Sequence, residues 1–456
     1  MEGFVNAIIN FSNWLWGIPM LVILVGGSLF LTIKLGFFQF KYFPYAMRET
    51  FGKMFKKPEG EGTISPFQAA TAALASTIGA SNIVGVPVAI AFGGPGAVFW
   101  MWIVALIASA AKFSEIVLGI RYREKNEEGE YVGGPMYFLK NGIKSGLGKA
   151  LSVIFSFFLM IEIIPSIATQ AASAVQTAGT INIPNWVTGS LLVVLVGLVV
   201  FGGIKRIASF TEKLVPFMAL LYIIGGIIII IVNITELPRA IGLIFKHAFT
   251  PIAATGGIAG AGIAQAIRWG TARGVYSNEA GMGTAPIAHS SAVTDHPVRQ
   301  AMWGIFEIVV DTLIVCTVTA LIVLVSGVYE LVPADQAASM PAVAFQQLLG
   351  NNLGGGIVTV SILLFVLSTI IVIAYYGKTQ AEFLFGATFS NIMVIVYLIA
   401  IVLGVYGGIE FLYNFLDILL ATIIIPNMIG LLLLSNEVKD LKNEFFSNSK
   451  YYNPAK

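Results

Sequence analysis

The most constraining stretch of the chain is Ala75-Ser76-Thr77-Ile78-Gly79-Ala80-Ser81-Asn82, a run of small and polar residues set inside a hydrophobic segment long enough to cross a bilayer. Hydrocarbon offers no partner for a backbone N–H or C=O. A glycine-containing break in such a segment therefore survives only where it lines a cavity walled by protein. Close packing of small residues is the simpler explanation for Ala69 to Ala75. It does not account for a polar cluster followed at once by Gly85 and Pro87. A cavity at membrane depth implies a passenger.

Composition supports a membrane setting: 57% of the residues are hydrophobic and 11% charged, against about 25% charged in soluble domains. Apolar runs of roughly 20 residues fall near 17–34, 66–92, 97–120, 149–178, 186–204, 213–233, 256–287, 300–328, 357–376, 386–405 and 411–435. They define an all-α polytopic membrane protein with eleven transmembrane helices. The N-terminus lacks a charged leader and cleavage site, so its first apolar run is expected to be retained. Lys and Arg crowd alternate loops: six in 34–57, six in 121–149, three in 203–213 and four in the tail. The loop from Glu330 to Gly356 has none. The positive-inside rule then puts the N-terminus outside and the C-terminus in the cytoplasm of a cell that carries the protein in its plasma membrane.

An odd number of helices suggests one leading helix and two sets of five, the second set inverted. The expected units are 1–60 (extra helix and cytoplasmic loop), 61–233 (first repeat), 234–435 (second repeat) and 436–456 (tail). Helices 2 and 7 correspond in this scheme, and discontinuities at matching positions mark a binding site. In helix 7 the break is expected over Arg268-Trp269-Gly270-Thr271-Ala272-Arg273-Gly274.

Each break exposes peptide dipoles. The N-terminus of the second half of helix 2, near Ser81-Asn82, attracts an anion such as a carboxylate, while free carbonyls near Ala75 to Ile78 suit a hard monovalent cation. Thr77, Ile78, Gly79, Ser81 and Asn82 are therefore candidate substrate residues, facing Thr271 to Gly274 of helix 7. Gln170 offers an amide as a side wall. Trp269 is a candidate lid, although a lone Trp also serves as packing or an interface anchor. In helix 9, Ser368-Thr369 offers two hydroxyls, which in membrane helices commonly bond back to their own chain.

Intramembrane ionisable groups are functional candidates by default. Here they include Glu162, Arg268, Arg273, Glu279, Glu307 and Asp311. Structural pairing is the competing reading for Arg273 and Glu279. Lys112 and Glu115 are expected to snorkel or pair with each other, without a substrate role. A nucleotide motor is excluded, because Gly148-Lys149 and Gly377-Lys378-Thr379 lack the earlier glycine of a phosphate loop. His247, His289 and His296 lack zinc-site spacing. A net charge of +2 and the absence of aromatic-basic runs argue against nucleic acid. The single Cys316 permits no intrachain disulfide.

The runs Ser81-Asn82-Ile83-Val84-Gly85-Val86-Pro87 and Gly93-Gly94-Pro95-Gly96-Ala97-Val98-Phe99-Trp100-Met101-Trp102 closely resemble the signature of the alanine or glycine:cation symporter family. The resemblance continues through Gly133-Gly134-Pro135-Met136-Tyr137 and Tyr276-Ser277-Asn278-Glu279-Ala280-Gly281-Met282-Gly283-Thr284-Ala285-Pro286. Ala108 stands where that signature has glycine. It implies a leucine-transporter-like 5+5 inverted repeat with discontinuous helices 2 and 7. By the same resemblance, a sodium ion would be held by the carbonyls of Ala75, Ile78 and Phe365 and the hydroxyls of Ser368 and Thr369. The fold's aromatic and arginine gate is replaced by Val84-Gly85. The implied function is sodium-coupled symport of alanine, with glycine as a second substrate, by alternating access. It needs no cofactor beyond the coupling ion, no enzymatic step and no obligate protein partner. A proton-coupled carrier is the alternative, through Glu279 or Asp311, and an ion channel a further one.

Overall fold

The computed structural model of the protein describes residues 10–12, 14–179, 182–250, 262–407 and 410–452. Among its helices are α1 (Gly27–Lys34), α2 (Pro66–Thr77), α3 (Val86–Gly93), α4 (Gly96–Arg121), α5 (Gly146–Gly179), α6 (Asn185–Val200), α7 (Gly203–Val232) and α8 (Leu237–Phe249). They continue as α9 (Ile263–Asn278), α10 (Ala285–His289), α11 (Pro297–Ile308), α12 (Thr317–Val325), α13 (Met340–Phe385), α14 (Ala387–Tyr406), α15 (Glu410–Leu433) and α16 (Ser435–Ser447). One antiparallel hairpin, β1 (Glu124–Lys125) with β2 (Tyr131–Val132), follows α4.

Seven of the described helices are long and apolar enough to cross a membrane, counting Pro297–Val325 as one, and eight if α2 and the helix after it form one bent span. The expected eleven is not reached on length alone. Ile18–Lys34 and Asn185–Val200 are shorter apolar helices, and the first residues of the seventh expected span, 256–261, lie outside the described residues.

Apolar side chains point both ways. On α7, Phe217, Leu220, Ile224, Ile228 and Ile231 are exposed, as are Ile392, Ile395, Ile399 and Leu403 on α14. At three- and four-residue spacing these are stripes along one helix face, and only lipid covers such a surface without cost. The inner core gathers Phe365, Val366, Ile370 and Ile371 of α13 with Leu159, Ile163 and Ile167 of α5.

The second span breaks for reasons written in its residues. Ser65 and Gln68 form a reciprocal capping box and Pro66 occupies the first turn, which starts α2 firmly. The helix stops at Ile78, with φ −76° and ψ 83°. A wide π turn over Ser81–Gly85 leads into α3, where Pro87 cannot donate to the carbonyl of Ile83. The two halves are bent by 49°.

The seventh span is also discontinuous, but the expected position is corrected. Residues 268–274 are wound inside α9. Gly270 and Gly274 serve packing: a Cβ on them would stand 2.9 Å from Trp100 Cβ and 3.1 Å from Met101 Cγ of α4. The helix instead ends at Asn278, Glu279 is left-handed at φ 55°, and Gly281 and Gly283 take φ 89° and 81° before α10 begins. Positive φ is where glycine is needed.

Candidate functional site

Between the break of α2 and the break after α9 lies a cavity of about 50 Å³, lined by Ser76, Ser81, Glu162, Ile163, Ser166, Gln170, Tyr276, Glu279, Met282, Thr284, Thr369, Ile373, Tyr376 and Leu420. Its walls come from α2 and the turn that follows it at Ser81, from α5, α13 and α15, and from the end of α9 with the segment after it. Two carboxylates and no Lys, Arg or His are among these described residues. Glu279 Oε2 accepts from Ser76 Oγ at 3.2 Å and Thr284 Oγ1 at 2.5 Å. Glu162 accepts from Ser166 one turn on, and Tyr376 OH lies 3.3 Å from Ser76 Oγ. The Gln170 carbonyl oxygen is buried without a hydrogen-bond partner among the described residues. Such a lining, small and polar with one unused amide acceptor, fits a compact ligand carrying both donors and charge.

The break of α2 faces α13 directly. Thr369 Oγ1 donates to the Ala75 carbonyl at 3.0 Å. A Cβ on Gly79 would stand 2.8 Å from Thr369 Oγ1, too close without a shift, and 3.5 Å from Gln170 Nε2, an ordinary contact, so glycine lets Thr369 of α13 approach the unwound backbone. One residue earlier, Ser368 Oγ donates to the Phe365 carbonyl at 2.9 Å and lies 3.4 Å from Met218 Sδ. The structure thus brings Ala75, Thr369, Gly79 and Gln170 into one place, with Phe365 and Ser368 adjacent on α13.

Asn82 does not line the cavity. Its side chain braces the break from behind: Oδ1 accepts from the Gly79 N–H at 3.0 Å, while Nδ2 donates to Ser277 Oγ at 2.9 Å and Asp311 Oδ1 at 2.7 Å. Ser277 Oγ and Thr312 Oγ1 both donate to Asp311 Oδ2 at 2.8 Å. Asp311 sits in a π-helical turn, Val309–Cys316, a distortion common at functional positions. The result links the two broken spans through one buried carboxylate.

Buried ionisable side chains hold the other break. Lys112 Nζ donates to the Asn278 carbonyl at 2.9 Å and pairs with Glu307 Oε2 at 2.9 Å. Glu115 Oε1 accepts from the Gly283 N–H at 3.0 Å and from Asn427 Nδ2 at 2.5 Å, and the same amide donates to the Gly281 carbonyl at 2.9 Å. The expectation that Lys112 and Glu115 snorkel or pair together is therefore corrected. Both are fully buried and satisfy orphan backbone groups of the unwound segment. Sequence reasoning missed this role and that of Asn427. Its signal was available: a Lys and a Glu in the small-residue run Ala108-Ser109-Ala110-Ala111-Lys112-Phe113-Ser114-Glu115 cannot reach water easily.

Trp269, Thr271 and Gly274 lie in the wound part of α9 and do not line the cavity. The Trp269 ring stacks on Phe92 with centroids 5.1 Å apart, and the Arg273 guanidinium lies 5.4 Å from it. Thr271 Oγ1 is buried without a hydrogen-bond partner among the described residues. Thr77 Oγ1 bonds back to the Leu74 carbonyl at 3.2 Å, and Ser81 reaches both the cavity and Asn82 Oδ1 at 3.4 Å.

A model of the sodium:alanine symporter family matches residues 1–455. The chain belongs to the sodium:alanine symporter family. YflA of Bacillus subtilis, an uncharacterized transporter, is 52% identical over 99% of this chain and 96% of its own. The sodium/alanine symporter AgcS of Methanococcus maripaludis is 40% identical over 95% of this chain and 96% of its own. Among solved structures, that of MhsT in complex with L-phenylalanine superposes with a TM-score of 0.61 at 12% identity, covering 82% of this chain and 89% of MhsT. That likeness concerns the fold, which is leucine-transporter-like. Family membership makes the protein a multi-pass membrane transporter of the amino-acid symport type and not an enzyme.

Proposed function

We propose that the protein couples inward sodium movement to uptake of a small amino acid, alanine with glycine as a second candidate, by alternating access. The observation that carries this reading is the Thr369 hydroxyl on the Ala75 carbonyl at 3.0 Å, beside a break whose backbone Gln170 and Thr369 approach closely. Sodium would displace that hydrogen bond and take the carbonyls of Ala75, Ile78 and Phe365 with the hydroxyls of Ser368 and Thr369. The substrate carboxylate would dock against Thr77 to Ser81 and the Gln170 amide. Its ammonium would meet the segment from Glu279 to Thr284, because the break sits there and not at Thr271 to Gly274. Asn82 then acts by bracing Gly79.

Coupling follows physically. An ion bridging α2 and α13 favours the arrangement in which the cavity walls meet, and substrate affinity rises through the same equilibrium. A cavity this small disfavours large side chains sterically, although one methylene discriminates by only about 1–3 kcal/mol. The orientation proposed is N-terminus outside and C-terminus cytoplasmic, with inverted repeats over 61–233 and 234–435.

A proton-coupled mechanism is the second reading, favoured by the two carboxylates, Glu162 and Glu279, that line the cavity without a basic residue among its described walls. Proteoliposomes separate the two. Uptake of labelled alanine driven by an imposed sodium gradient at constant pH supports the sodium assignment; uptake that follows only a pH gradient replaces it.

A further inference from the structure

We propose that Gln300, His289, Glu307 and Lys112 form a buried relay that ties the start of α2 to the end of α9, so that the two broken spans are positioned together. The chain of contacts is continuous. Gln300 Nε2 donates to the Pro66 carbonyl at 3.2 Å and lies 3.0 Å from His289 Nδ1. His289 Nε2 lies 2.5 Å from Glu307 Oε1, Glu307 Oε2 pairs with Lys112 Nζ at 2.9 Å, and Lys112 Nζ donates to the Asn278 carbonyl at 2.9 Å.

The donor pattern is self-consistent. The Gln300 amide has two hydrogens, one for Pro66 and one for Nδ1; this leaves the proton of a neutral imidazole on Nε2, aimed at the Glu307 carboxylate. Lys112, Glu307, His289 and Asn278 are 0% exposed and Gln300 is 1% exposed. An ammonium and a carboxylate buried this deeply are expensive, and apolar residues of similar volume would pack as well. What the charged pair adds is geometry. The last carbonyl of α9 is the negative end of a helix dipole, and Lys112 fixes it. Glu279, the next residue, lines the cavity.

Room for this arrangement is built in. A Cβ on Gly304 of α11 would stand 3.3 Å from Lys112 Cγ and 2.6 Å from Ile116 Cδ1. At the other end, Gln300 and Pro66 line a second cavity of about 570 Å³ whose walls mix basic and acidic side chains, Lys53 and Lys450 with Glu49 and Glu59 among them. The relay therefore runs from that mixed-charge cavity to the unwound segment, touching α11, α10 and α4 on the way. None of its side chains lines the small cavity, so Lys112 and its partners are positioning residues.

Hydrogen exchange of the full chain in nanodiscs tests the relay without reference to substrate. Lys112→Met and Gln300→Leu are each expected to speed amide exchange at least about tenfold in both peptides, 64–71 and 275–284, because each breaks the same tether. Faster exchange only in the peptide beside each substitution would overturn the proposal. Should Lys112→Met fail to accumulate, Glu307→Gln cuts the same tether and is read in the same two peptides. A kinetic arm rests on the proposed alanine uptake. Each single variant should raise KM more than it lowers the maximal rate, and the double variant should be no worse than the poorer single; losses that multiply indicate independent roles and contradict the relay. Wild-type vesicles that carry no alanine would remove the uptake reading and leave the exchange result standing.

Discussion

The two breaks solve one problem by opposite means. In the second span the unwound backbone is held by neutral groups: the Asn82 amide on the Gly79 N–H and the Thr369 hydroxyl on the Ala75 carbonyl. In the seventh span Lys112 and Glu115 grip Asn278 and Gly283, with Asn427 on Gly281. Hydrogen bonds between neutral groups contribute about 0.5–1.5 kcal/mol and those to charged groups about 1.5–3. The first break is thus the softer one, where the proposed ion would replace a hydroxyl hydrogen, and the second is the anchored one. A symporter needs both, since a binding event alters transport only if something yields while something else keeps the geometry.

That contrast can be broken by experiment. The largest effect is expected for Lys112→Met, which leaves Glu307 buried without its cation and should cost about 3–5 kcal/mol, read as a lower melting temperature in detergent. Glu115→Gln keeps an acceptor for Gly283 and Asn427 and loses only the charge, so a loss of about 1 kcal/mol for each of these two hydrogen bonds is expected in the same assay. Thr369→Ala should cost about 1 kcal/mol of stability yet weaken the apparent sodium affinity, read from sodium titrations of uptake. Stability losses in the reverse order would erase the distinction between a soft and an anchored break. Gly79→Ala sharpens it, because the added Cβ meets Thr369 Oγ1 at 2.8 Å; about a tenfold rise in KM is expected, equivalent to ~1.4 kcal/mol. Trp269→Phe keeps a ring against Phe92 and should change uptake least, within the ~0.5–1.5 kcal/mol of an aromatic pair.

Much of this was legible in the residues, and the reasons are specific. The break at Ile78 announced itself because Gly79, Ser81, Asn82, Gly85 and Pro87 have no packing use in a lipid-facing helix. The break after α9 was misplaced because Gly270 and Gly274 carry the same local signal as an unwound segment. Nothing in the sequence alone says that α4 approaches closely enough to require them. Gly281 and Gly283 lie only seven and nine residues beyond Gly274, in a stretch whose adjoining Asn278 and Glu279 also stop a helix. Gln170 and Thr369 lie against the break. Asn82 turned away because Asp311, on a helix far along the chain, offers a stronger acceptor than any neighbour. The clamps by Lys112, Glu115 and Asn427 depend on tertiary contacts, and spacing along α4 could not distinguish them from a local pair.

The most direct measurement is equilibrium binding of labelled alanine to the purified transporter across a sodium titration, with wild type and Thr369→Ala side by side. Sodium should raise alanine affinity at least about tenfold in the wild type, and alanine should raise sodium affinity by the same factor. In Thr369→Ala both dependences should collapse. Alanine binding indifferent to sodium in the wild type, or an undiminished sodium effect in Thr369→Ala, would contradict a cation seated between the broken second span and α13.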